Sequence, residues 1–150
     1  MKNENLLSLA YKIAQESHKG AVDKGGHDYI LHPVAVASMV CENDEKIVAL
    51  LHDVIEDSDM TLENLREYGF PEKIISAVDA ISKRREESRK FYLHRLKSNP
   101  LARIVKIADL KHNCDLSRIK NPTKRDIIRT QKYEKEILFL SADEAEGSYK

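Results

Sequence analysis

An all-α domain is the fold class this sequence predicts, and three observations predict it. Apolar residues recur at three- and four-residue spacing through every long segment. Helix-opening residues stand where those stripes begin, among them Thr61, Pro71, Asn99-Pro100 and Thr123. No repeat, linker or low-complexity block divides the 150 residues, so a single domain over 1–150 is expected. Its core should lie in roughly residues 5–140, within about seven or eight helices.

Leu6, Leu9, Ala10, Ile13 and Ala14 give a helix over 4–18. A polar loop follows from Lys19 to Asp28, in which Gly25-Gly26 permits an unusual backbone path. Tyr29-Ile30-Leu31 return the chain to the interior. Pro33 suits the first turn of a second helix through Val34, Val36, Ala37 and Val40, stopping near Glu42-Asn43. Asn43 or Asp44 can cap the third, whose Ile47, Val48, Leu50 and Leu51 run into His52-Asp53. Thr61 opens a short helix ending at Gly69, and Pro71 opens another with Ile74, Ile75, Val78 and Ile81 as its stripe. Residues 83–98 are basic. Asn99-Pro100 launches a helix through Leu101, Ile104, Val105, Ile107 and Ala108 to Asp109. Asn121-Pro122-Thr123 starts the last helix, Thr123 to about Ser141, and the polar tail Asp143 to Lys150 is expected to fray.

Lys plus Arg and Asp plus Glu number 25 each, so global charge gives no support for a nucleic-acid or membrane-surface partner. Cys41 and Cys114 are far apart and lack metal-type spacing, which suggests free thiols in packing roles and a reducing compartment. No apolar run approaches the ~20 residues that span a bilayer. The Met1-Lys-Asn-Glu start carries no signal-peptide apolar stretch, so a cytoplasmic protein is expected.

The chemistry concentrates in Ala49-Leu50-Leu51-His52-Asp53-Val54-Ile55-Glu56-Asp57, where an apolar helix ends in four ionisable side chains. Burying adjacent imidazole and carboxylate is costly unless something compensates them, and a metal ion is the usual compensation. On a helix His52 and Glu56 share a side, as do Asp53 and Asp57. An adjacent His-Asp can hold one divalent ion and leave the next turn's carboxylates beside water, as a hydrolase requires. His32, before Pro33 and between apolar neighbours, reads either as a structural histidine or as a ligand. Asp109 ends the buried run Ile104-Val105-Lys106-Ile107-Ala108, and needs either a core arginine or a metal. His32, His52, Asp53 and Asp109 together form a mixed nitrogen and oxygen set that suits manganese, iron or zinc better than calcium. His18, His27, His94 and His112 have polar neighbours and read as solvated or supporting, although His112 and Asn113 lie on the Asp109 side of their helix.

Tyr29-Ile-Leu-His32-Pro33, Leu50-Leu-His52-Asp53-Val-Ile-Glu56-Asp57 and Lys106-Ile-Ala-Asp109-Leu-Lys-His-Asn113 occur in this order. The combination resembles the HD-domain metal-dependent phosphohydrolases, and more narrowly the hydrolase domain of the RelA/SpoT family and its stand-alone small alarmone hydrolases. The resemblance covers about residues 5–140. It implies an all-helical HD fold and a divalent ion, typically manganese, on His32, His52, Asp53 and Asp109. It also implies Glu56 and Asp57 as the acidic pair beside the attacking water, and Asn113 as a nucleotide contact. The implied reaction removes the 3′-pyrophosphate from ppGpp or pppGpp. With no residues beyond 150 for a synthetase or regulatory domain, the implied protein is hydrolase-only. Lys24 is kept from an Arg-Lys pair the alarmone hydrolases carry for substrate phosphate, whereas Asp23 stands where arginine is common. The 83–97 segment offers further phosphate contacts, Lys83 and Arg84 in particular, or else a solvated helix face. The other readings are a different HD enzyme acting on a nucleoside phosphate or small phosphoester, and a non-catalytic nucleotide sensor.

Overall fold

In the computed structural model, which describes residues 2–142, the chain folds as nine α-helical segments and one 3-10 turn, and no strand is present among the described residues. In chain order the helices are α1 (Lys2–Ser17), α2 (Leu31–Ser38), α3 (Asn43–Leu51), α4 (Val54–Asp57), α5 (Leu62–Glu67), α6 (Glu72–Ile81), α7 (Arg89–Lys97), α8 (Pro100–Asn113) and α9 (Lys124–Ser141). The 3-10 turn is Leu116–Arg118. Because α4 is a single turn continuing α3 after a break at His52-Asp53, the expected seven or eight helices are present with one interrupted. The tail expected to fray, Asp143 to Lys150, lies outside the described residues.

The central element is α3. Ile47, Val48, Ala49, Leu50 and Leu51 are all buried, so the C-terminal half of this helix is apolar on every side, and the helix is covered by α1, α2, α6 and α8. Each such aliphatic side chain taken fully out of water is worth about 1.5–3 kcal/mol. One hydrophobic cluster continues through Ala10, Ile13 and Ala14 of α1, Ile74, Ile75, Val78 and Ile81 of α6, Tyr92, Leu93 and Leu96 of α7, and Val105, Ala108 and Leu110 of α8. Phe139 and Leu140 of α9 complete it. Ile104, expected on the inner stripe of α8, is exposed.

The helix starts follow local chemistry. Thr61 and Thr123 each accept the backbone N–H three residues on, and Asn64 and Asp126 reach back to them, so both ends are reciprocal capping boxes. Asn99 caps α8 with Pro100 in its first turn. Two starts differ from expectation. Glu42, rather than Asn43 or Asp44, caps α3, because its side chain and that of Glu45 satisfy each other's backbone N–H groups. α2 begins at Leu31, so Pro33 sits in its third position, where a missing N–H still costs no helix bond.

The loop between α1 and α2 is shaped by its glycines. Gly26 has a φ of 82°, a left-handed conformation that suits glycine. A Cβ on Gly25 would stand 2.1 Å from the Arg118 carbonyl oxygen, so only glycine lets this loop lie against the 3-10 turn. Cys41 is an exposed free thiol rather than a packing one, and Cys114 is a half-buried free thiol. No helix among the described residues is long and apolar enough to cross a membrane.

Candidate metal centre and active-site cleft

Two helices and one helix break bring the ionisable residues together. α2 supplies His32 in its first turn, α8 supplies Asp109 in its last two turns, and the α3–α4 break supplies His52 and Asp53. The break matters for direction. Asp57 N–H bonds the Asp53 carbonyl at 3.0 Å, so Asp53 and Asp57 keep their helical relation, while His52 and Glu56 straddle the interruption.

His32, His52 and Asp109 are buried, and their ligand atoms lie within 4.8 Å of one another. Asp109 Oδ1 is 2.7 Å from His32 Nε2 and 3.2 Å from His52 Nε2. Asp53 Oδ2 approaches the same His52 Nε2 at 3.0 Å. The outer faces are fixed by neighbours. Ala49 O accepts from His52 Nδ1 at 2.5 Å, Tyr29 OH donates to Asp53 Oδ2 at 2.6 Å, and Lys106 Nζ donates to Asp109 Oδ2 at 2.9 Å. Asn113 Nδ2 donates to Asp109 Oδ1 at 3.2 Å.

These contacts test whether a cation fits. A carbonyl can only accept, so the ring proton of His52 is on Nδ1, and a neutral His52 turns a bare Nε2 lone pair toward two carboxylate oxygens. Three lone pairs meeting in a buried space require a positive charge between them. Burial opposes charging His52, but Asp53 and Asp109 outweigh it and raise its pKa well above the ordinary histidine value. Burial likewise works to raise the Asp109 pKa, and Lys106 with His52 and His32 drives it far below the usual carboxylate range. For Asp53, burial is outweighed by His52, and the carboxyl falls to about 2. The set is therefore two imidazole nitrogens and two ionised carboxylates, the donor chemistry of a divalent transition metal.

His112, grouped with the supporting histidines, is a support for His32. Their Nδ1 atoms are 2.7 Å apart, so one proton is shared between the two rings. Burial, Arg118 and His32 push the His112 imidazole down to about 4, which leaves it neutral and able to accept from His32 Nδ1–H. That tautomer turns the His32 Nε2 lone pair toward Asp109 and His52. Of the two readings open for His18 the structure shows the supporting one, since it is buried and packs its ring 4.8 Å from Tyr29.

A cleft in two lobes opens over the cluster. The larger, about 470 Å³, has His32 on its floor and walls from Lys24, Asp115, Arg118 and Arg129. The smaller, about 150 Å³, is lined by Asp53, Glu56, Lys83, Arg89, Lys106 and Asp109. Tyr29, Asn113 and Tyr133 belong to both and mark the boundary. Glu56 thus reaches the cluster side of the cleft, and its Oε2 accepts the Lys83 backbone N–H at 3.2 Å. Burial, opposed by that N–H and reinforced by Asp53, raises its pKa. Asp57 lines neither lobe, although burial, Asp53 and Glu56 lift its carboxyl to about 6.

The expected substrate contacts divide. Asn113 and Lys83 line the cleft, and Lys24 stands at its edge with Nζ 3.8 Å from Asp126. Arg84 is not brought there, because its guanidinium pairs with Asp79 at 3.2 Å on the exposed side of the α6–α7 loop. Asp23, the residue out of place for phosphate binding, pairs with Arg118 at 3.1 Å and accepts the Gly25 and His27 backbone N–H groups. Its charge is neutralised within the protein. Arg89, which nothing in the sequence distinguishes from the other cations of the basic 83–97 segment, lines the small lobe.

A helical site of paired histidines and aspartates on this fold defines a metal-binding domain, and the chain belongs to the HD-domain family, whose profile matches residues 10–113. It is 41% identical over 81 residues, 51% of this chain and 11% of the relative, to the guanosine-3′,5′-bis(diphosphate) 3′-pyrophosphohydrolase of Vibrio cholerae. It is 35% identical over 129 residues, 75% of this chain and 19% of the relative, to the protein of the same name from Haemophilus influenzae. The chain therefore spans between a tenth and a fifth of the length of these relatives. Among solved structures it is similar to a metazoan ortholog of SpoT described as hydrolysing ppGpp, with a TM-score of 0.72 and 18% identity over 90% of this chain and 84% of that one. That likeness shows that the fold is shared.

Proposed function

We propose that the chain is a metal-dependent phosphohydrolase that removes the 3′-pyrophosphate of ppGpp or pppGpp, giving GDP or GTP and pyrophosphate. The observation that carries this reading is the convergence of His32, His52 and Asp109 ligand atoms within 4.8 Å, with Glu56 on the adjoining cleft wall. The names of the relatives support the substrate. His32, His52, Asp53 and Asp109 hold the ion, with manganese proposed as the metal. As an alarmone hydrolase the protein acts in the cytoplasm, within the stringent response.

When bound, a divalent ion supplies Lewis acidity to a phosphoryl oxygen and acidifies water. Glu56 orients the attacking water and takes its proton at the carboxylate oxygen not held by the Lys83 N–H. The water oxygen bonds to phosphorus, the bond to the ribose 3′ oxygen breaks, and that oxygen leaves as a hydroxyl after gaining a proton. Asn113 and Lys24 position the nucleotide in the large lobe, and Asp57 is the second carboxylate of the acidic pair beside the water.

A manganese-supplemented assay offering ppGpp beside GTP, GMP and a generic phosphodiester tests this. Release of GDP and pyrophosphate from ppGpp is expected, abolished together with metal binding in Asp53→Ala. Glu56→Gln should keep the metal and lose about 10²–10⁴ in turnover. A Glu56→Gln enzyme of normal rate removes Glu56 from the chemistry. Asp115 on the large-lobe wall favours a second reading, an HD-family hydrolase of another nucleotide or small phosphoester. Cleavage of one of the other compounds alone would select it, and metal binding with no cleavage would leave a nucleotide sensor.

A further inference from the structure

Arg89 is held more tightly than a surface arginine needs to be. Its Nε and Nη2 donate to the two carboxylate oxygens of Glu136 at 2.7 Å each, a bidentate pair that spans from α7 to α9. Glu136 is 0% exposed and Arg89 29%. The Tyr92 and Tyr133 rings stand 6.0 and 5.8 Å from the guanidinium carbon, which closes off rotation. Fully burying a carboxylate is costly, and a pair of this kind adds little net stability over an apolar substitute. What the arrangement does provide is direction. Both bonds leave from Nε and Nη2, so the Nη1 edge remains unused among the described residues, on a side chain that lines the small lobe.

Two further cations reach the same lobe from different elements. Lys106 on α8 donates to Asp109 and stands beside the Tyr92 ring, and Lys83, whose Nζ donates to the Arg84 carbonyl at 3.3 Å, comes from the α6–α7 loop. The carboxylates facing them are already engaged, Asp53 and Asp109 by the histidines and Glu56 by a backbone N–H. Leu110 is the lone aliphatic residue in the lining among the described residues. At about 150 Å³ the lobe holds roughly five water volumes. That space is too small and too polar for a nucleoside, and it lies across Tyr29 and Asn113 from the larger lobe.

We propose that the small lobe is a pyrophosphate subsite and that Arg89, aimed by Glu136, is its specificity-determining residue. The inference rests on reading the cleft as a phosphohydrolase site, and it assigns each lobe one half of the substrate, with the scissile bond at their boundary. A planar guanidinium with one free edge matches two phosphate oxygens, and the lysines that line the same lobe add charge for the rest of a diphosphate.

The test is calorimetric titration of the manganese-loaded protein with inorganic pyrophosphate, orthophosphate and GMP. Wild type is expected to bind pyrophosphate at least tenfold more tightly than orthophosphate. The double variant Arg89→Gln with Glu136→Gln removes both charges and leaves no orphaned ion. It should lose at least tenfold in pyrophosphate affinity with GMP affinity unchanged, while Arg66→Gln on the α5 surface should change neither. Should the double variant lose its helical circular dichroism, Arg89→Lys keeps the charge against Glu136 without the free edge and is expected to show the same loss. Pyrophosphate affinity that is absent in wild type, or indifferent to Arg89 in a folded variant, overturns the proposal. Pyrophosphate held through Arg89 in a protein that does not cleave ppGpp would keep the subsite and discard the substrate. Cleavage of ppGpp with affinity indifferent to Arg89 would do the reverse.

Discussion

Tyr29 shows how much of this site depends on atoms that never touch a metal. Its hydroxyl donates to Asp53 Oδ2 at 2.6 Å, and Asp53 in turn lies against His52 Nε2. Burial together with the Asp53 charge raises the tyrosine's pKa, so it stays a donor at any working pH. Removing that donor leaves Asp53 free to turn away from the cluster. Tyr29→Phe is therefore expected to lower manganese affinity about 10–100-fold while leaving the helical circular dichroism unchanged. Equilibrium dialysis against the metal checks it, and an unaltered affinity would mean that Asp53 is positioned by His52 alone. The cluster itself was legible at this scale, because His32, His52, Asp53 and Asp109 sit in contexts where burial demands compensation, and the fold brings them together. Arg89 was not. A basic stretch written along a chain does not say which of its cations turns inward, and Arg84 and Arg89 differ only in the partner the fold supplies, Asp79 on the surface or Glu136 in the interior.

At the scale of elements, caps and stripes were readable because they are local: Thr61, Asn99 and Thr123 do in the structure what their sequence neighbours imply. The break between α3 and α4 was hidden, since nothing in Leu51-His52-Asp53-Val54 marks a helix end, and tertiary contacts to the two side chains impose it. The α6–α7 loop is likewise a tertiary product. Glu87 takes Arg95 Nε at 2.6 Å and Nη2 at 2.9 Å, and accepts the Arg84 N–H at 3.1 Å. Arg95 holds the Glu87 carboxyl down at about 2 against an ordinary 4.5. A depressed carboxyl contributes stability that is complete above its unfolded value and is lost as pH falls through the folded one. The gap in melting temperature between wild type and Glu87→Gln is thus expected to be full above pH 5 and to shrink from there toward pH 2. Thermal melts across that range decide it, and a gap independent of pH would assign the loop's order to Arg84 and backbone contacts instead.

For the molecule as a whole, α3 is the element on which α1, α2, α6 and α8 converge, and it delivers His52 directly from the core. Leu51 is 0% exposed and adjoins that histidine. Leu51→Ala is expected to cost about 2–5 kcal/mol, a fall of roughly 5–15 °C in melting temperature for a domain of this size. Metal affinity should fall with it as the cavity lets His52 shift, and differential scanning calorimetry with and without manganese measures both. The HD-domain match ends at residue 113, whereas α9 begins at Lys124 and supplies Tyr133 to the cleft and Glu136 to Arg89. Part of the cleft wall is therefore written beyond the stretch that makes the family recognisable. A change confined to the last helix can thus alter the wall that a ligand meets while leaving the family signature untouched.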